Sequence, residues 1–61
     1  MEQLSEKELS LINDSLNEEE LLVKKYQNLA SQTSDHEMSQ KFQQISQKHQ
    51  GHFNSIYELL G

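Results

Sequence analysis

The six residues Ser31-Gln32-Thr33-Ser34-Asp35-His36 (SQTSDH, residues 31–36) decide the fold. On either side the chain is rich in Glu, Gln, Lys and Leu, it has no proline, and its two glycines are Gly51 and the terminal Gly61. Such a composition favours helix throughout. The hexapeptide interrupts it with short polar side chains that compete for backbone hydrogen bonds and so favour caps and turns. Two hydroxyl caps, each followed three residues later by a carboxylate, mark helix starts: Ser5 with Glu8, and Ser34 with Glu37. The expectation is two helices, about residues 5–32 and 35–60, in a single domain spanning 1–61. A link this short folds the second helix back on the first, giving an all-α antiparallel hairpin.

Working outward from the turn, the apolar spacing shows which faces meet. On the first helix, positions 9, 12, 16, 19, 23, 26, 30 and 33 alternate steps of three and four and hold Leu, Ile, Leu, Glu, Val, Tyr, Ala and Thr. On the second, positions 38, 42, 45, 49, 52, 56 and 59 hold Met, Phe, Ile, His, His, Ile and Leu. Leu11, Leu22, Leu29, Phe53 and Leu60 flank these rows and widen each stripe toward the three-in-seven face of a bundle helix. One hairpin cannot cover stripes so wide. A chain of 61 residues also lacks the core to be robust alone, since small single cores supply only about 3–5 kcal/mol. Pairing two identical hairpins about a twofold axis into a four-helix bundle solves both problems, so a homodimer is expected.

Three members of the stripes are not apolar: Glu19, His49 and His52. The second helix nearly repeats itself here. SQKFQQI at 39–45 is followed by SQKHQGH at 46–52, and His49 and His52 stand where the first copy has Phe42 and Ile45. With the turn near Ser34 and Asp35, all three polar residues lie roughly 23 Å from it at 1.5 Å per residue, close to the middle of helices about 40 Å long. A second hairpin with its turn at the opposite end brings its own three to the same level. Two histidines at i and i+3 share a helix face, and imidazole with carboxylate suits zinc, iron, nickel or copper. Glu19, His49 and His52 are therefore candidate ligands for a transition metal, zinc or iron foremost. A purely polar layer, in which Glu19 accepts hydrogen bonds from the histidines and fixes register, is the alternative use of the same residues. Gly51, between the two histidines, implies either close helix approach or room for a ligand.

EEELLVKKYQNLA on the first helix and FQQISQKHQGHFNSIYELL on the second resemble one half of a ferritin-like di-iron protein, and most of all the short helical-hairpin members related to endospore coat proteins of the coat F type. The similarity covers about residues 16–60. It implies a ferritin-like four-helix bundle, a match of Glu19 to the first-helix glutamate and of His52 to the histidine of Glu-x-x-His, an aromatic at Tyr26, and association with the spore. His49 stands where the family has its second carboxylate. Without that bridging group, oxidase or iron-storage chemistry is not implied.

Other classes lack their residues. The net charge is −5, with five lysines and no arginine, which speaks against nucleic acid and against anionic membrane surfaces. No cysteine is present, so neither disulfides nor thiolate metal sites arise. Leu21-Leu22-Val23 is the longest apolar run and cannot span a bilayer. MEQLSEKELS is acidic where a secretory leader is basic and then apolar, so the cytoplasm is the expected compartment. No nucleophile can be assembled with a base and an oxyanion site, and no glycine-rich phosphate loop exists. The functional expectation is a non-catalytic homodimer with a structural or assembly role and a central Glu/His layer suited to a metal. A small two-helix regulator of the sporulation-phosphatase kind is an alternative, but its acidic motif finds only Ser39-Gln40-Lys41-Phe42 here. A metal-dependent redox enzyme is another.

Overall fold

The computed structural model describes residues 4–61; Met1 to Gln3, the start of the expected 1–61 domain, lie outside the described residues. Helix α1 spans Glu6–Gln32 and helix α2 spans His36–Tyr57, followed by a single turn of 3-10 helix over Glu58–Leu60. The helices lie antiparallel, as the short polar link dictates.

The expected cap of α1 forms in full. The Ser5 hydroxyl accepts from the Glu8 backbone N–H at 3.1 Å, and the Glu8 carboxylate accepts from the Ser5 N–H at 3.0 Å. The Ser5 backbone N–H first, and the Ser5 side chain second, hold the Glu8 carboxyl below its usual range. The expected Ser34 and Glu37 box does not form. Asp35 caps α2 instead, its carboxylate accepting from the Met38 N–H at 3.0 Å while its own N–H donates to Thr33 Oγ1 at 3.1 Å. A charged acceptor at the positive end of a helix makes a stronger cap than a hydroxyl, and the helix accordingly starts one residue later than the serine would have set it. At the other end α2 stops at Tyr57, short of the expected residue 60, and tightens into its 3-10 turn.

Two serine hydroxyls tie the helices together. Ser39 Oγ donates to the Ala30 carbonyl at 2.8 Å, and Ser46 Oγ donates to the Val23 carbonyl at 3.1 Å. Each step is seven residues along both helices, in opposite directions, so the contacts fix an antiparallel register with a heptad period. A serine side chain is short, and its hydroxyl reaches a neighbouring backbone only where the helices run close together. Ser46 is the most enclosed of the buried residues, 4% exposed.

The apolar core of a single chain is thin. Ile12, Leu16, Val23 and Ala30 are the buried apolar residues, all on α1, and among the described residues no large side chain is completely enclosed. Leu9, Met38 and Leu59, expected in the stripes, are exposed in the hairpin alone, as is the flanking Leu60. Gly51 is exposed as well, and a Cβ placed there meets nothing within 4 Å, so close helix approach does not explain it. Substitutions at the two small residues should therefore act in opposite directions. Ser46→Leu overfills the seam and should destabilise by about 1–3 kcal/mol, whereas Gly51→Ala should stabilise by about 0.5–1 kcal/mol; urea unfolding followed by circular dichroism measures both.

Candidate functional site

The register set by the serines determines what faces Glu19. It lies four residues beyond Val23, as Gln50 lies four beyond Ser46, so Glu19 comes level with the interval between His49 and His52. The carboxylate accepts from His49 Nδ1 at 2.7 Å through Oε1, and His52 Nδ1 stands 3.4 Å from Oε2. One ligand atom from each residue can be chosen so that all three lie within 4.8 Å of one another. The three residues that the sequence singles out are thus brought together by the fold of one chain.

Their environments differ. The Glu19 side chain is 13% exposed and that of His49 22%, while His52 is 64% exposed at the edge of the seam. Packing adds to the hydrogen bond in placing His49. Its ring stacks on Tyr26 with centroids 5.9 Å apart and planes 13° from parallel, and Tyr26 in turn meets Phe42 at 6.0 Å. The His52 ring approaches His49 edge-on, at 5.6 Å and 83°. The offset stack on Tyr26 is consistent with the ring plane that aims Nδ1 of His49 at the carboxylate.

The donor set fits a divalent transition metal in type: two imidazoles and one carboxylate, without thiolate. Donors of a tetrahedral ion with bonds of about 2.0–2.1 Å stand about 3.3–3.4 Å apart. The Oε2 to His52 Nδ1 distance of 3.4 Å already matches such an edge. The 2.7 Å between the other carboxylate oxygen, Oε1, and His49 Nδ1 is a hydrogen bond, which must lengthen by about 0.6–0.7 Å for both atoms to bind one ion.

The remaining polar residues take other roles. Glu20 pairs with Lys24 at 3.0 Å on the exposed surface, away from the site, and Glu18 is exposed. His36, at the first position of α2, lies 3.3 Å from Gln40 through Nε2. Ser39 and Ser46 carry the register, a role the sequence signals only through their identical places in SQKFQQI and SQKHQGH. No protein-family model matches the chain, and no curated protein or solved structure is significantly similar to it.

The unequal burial of the histidines predicts unequal costs. His49→Ala removes a stacked, mostly covered ring and leaves the enclosed Glu19 without its closest donor, a loss of about 2–3 kcal/mol. His52→Ala, at an exposed position, should cost less than about 1 kcal/mol. Chemical denaturation of the two variants in the presence of a chelator checks the ordering.

Proposed function

We propose that the protein is a non-catalytic, homodimeric helical-bundle protein with a structural or assembly role, and that Glu19, His49 and His52 form a polar layer at the centre of the bundle that takes a transition metal, zinc or iron. The supporting observation is the uneven finish of the hairpin's two sides. By helical periodicity, one side carries Leu11, Leu22 and Leu29 of α1 beside Met38, Ile45 and Ile56 of α2. Leu11 is 58% exposed, Met38 is 47% exposed, and the other four are half-buried. The opposite side is a shallow cleft bordered by Glu20, Lys24, Gln27 and Gln50 over Val23 and Phe53. One side is wet by composition and the other is not.

A second copy is the occupant that suits the apolar side. The Cα extents of the hairpin are 47 by 16 Å in its broad plane, a face large enough to seat a partner over about the 800 Å² per side of a standard interface. The Glu/His layer sits near the middle of that face, and a twofold axis through the middle brings the two layers level. A partner with no matching polar layer would set an apolar surface against the His52 ring.

The proposed structural or assembly role follows the resemblance to small endospore coat proteins. The alternative of a sporulation-type regulator gains no support from Ser39, whose hydroxyl is given to the Ala30 carbonyl inside the seam.

Light scattering coupled to size exclusion tests the dimer. The parent chain should elute at twice the chain mass. The double variant Leu22→Lys with Ile45→Lys should elute as a monomer, whereas Leu21→Lys, at a 68% exposed position away from the seam, should remain a dimer. A monomeric parent would overturn the proposal.

A further inference from the structure

We propose that each chain carries its own metal site with an exchangeable coordination position, formed by Nδ1 of His49, Nδ1 of His52 and a Glu19 oxygen, so that the dimer holds two ions and each can take a small anionic or neutral ligand. This rests on the metal-bearing layer proposed above and specifies its atoms, stoichiometry and ligand class.

Convergence of the nitrogens is the first ground. Both Nδ1 atoms face the Glu19 carboxylate, at 2.7 and 3.4 Å. The two nitrogens of an imidazole point to different sides of the ring, so each Nε2 is directed away from the shared centre. An ion bridging His49 and His52 of one chain therefore belongs on the Nδ1 side, where the carboxylate is. The spacing of the rings agrees. With Zn–N bonds of about 2.0–2.1 Å, the ring centroid lies about 3.2 Å from the ion, and two imidazoles on a tetrahedral ion have centroids about 5 Å apart. The observed 5.6 Å needs only a small closure.

The number of donors is the second ground. A structural zinc site is closed by four protein ligands, whereas a site with three keeps an open position for water or another ligand. Within one chain the described residues offer one such group of three, made of two histidines and one carboxylate. The same set with open positions also suits ferrous iron. His52 is 64% exposed in the single chain and lies on the face proposed for the second copy, so no fourth ligand among the described residues of its own chain stands beyond it. Tyr26 stacked on His49 covers the other flank.

The experiment is a titration of the metal-free dimer with Co²⁺, read by visible absorption, followed by azide, with light scattering on the same sample. The expected result is one Co²⁺ per chain, with a four- or five-coordinate spectrum that shifts when azide is added. Glu19→Gln, which keeps the side-chain shape and can still accept from His49, should weaken Co²⁺ binding by more than about tenfold. With Zn²⁺ and ¹⁵N-labelled protein, the histidine signals should report metal on Nδ1 and a proton on Nε2 for both residues. One Co²⁺ per two chains, a spectrum indifferent to azide, or zinc on Nε2 overturns the inference while leaving a metal-bearing dimer in place. A dimer that binds no Co²⁺ overturns the inference together with the metal layer, and a monomer that binds one Co²⁺ per chain with an azide response supports the site while removing the dimer.

Discussion

The close approach of the two helices along Ser39 and Ser46 is the constraint on which the rest of the structure depends. Their hydroxyls reach the Ala30 and Val23 carbonyls only when the second helix sits at one particular axial position. One seven-residue step separates the contacts, and four further residues bring Glu19 level with the space between His49 and His52. A slip of one residue would move the carboxylate by about 1.5 Å along the axis and rotate it by roughly 100°, which is enough to dissolve the cluster. The site is thus set by backbone register first and by side-chain chemistry second.

That same closeness limits what one chain can bury. Small residues at the seam allow short hydrogen bonds but contribute little apolar area, and among the described residues the buried apolar set is confined to Ile12, Leu16, Val23 and Ala30. The larger side chains, Leu22, Leu29, Ile45 and Ile56, are displaced to one side of the hairpin plane, where they are half-covered. At about 25 cal/mol per Å² of apolar surface removed from water, completing their burial is the largest stabilisation still open to the chain. The proposed dimer would supply it by laying one apolar side against another.

Much of this was legible in the residues. Capping chemistry and the absence of proline located both helices, and the stepwise spacing of apolar positions placed Glu19, His49 and His52 in one layer. Two features were not. Asp35 competed with Ser34 for the cap of α2, and the winner depends on which acceptor can point along the helix axis once Thr33 has turned the chain. Ser46 was hidden because hydropathy ranks serine with surface residues, although its burial follows from a hydrogen bond to a carbonyl that only the folded partner helix presents. Gly51 left two readings open in the sequence, close helix approach or room for a ligand, and its open surroundings remove the first.

The two uses of the Glu/His layer differ in what they require of His52. A polar layer needs the enclosed carboxylate satisfied, and His49 already does this with a short hydrogen bond from a ring held by Tyr26. A second imidazole adds little to that purpose, and at 3.4 Å from Oε2 with most of its surface in water it is beyond ordinary hydrogen-bond length and weakened by solvent. For a metal the same position is useful, because 3.4 Å is the edge that two donors of a tetrahedral ion span. Glu19 and His49 make sense as a hydrogen-bonded pair without any ligand; His52 gains its physical rationale when the pair becomes a set of three donors.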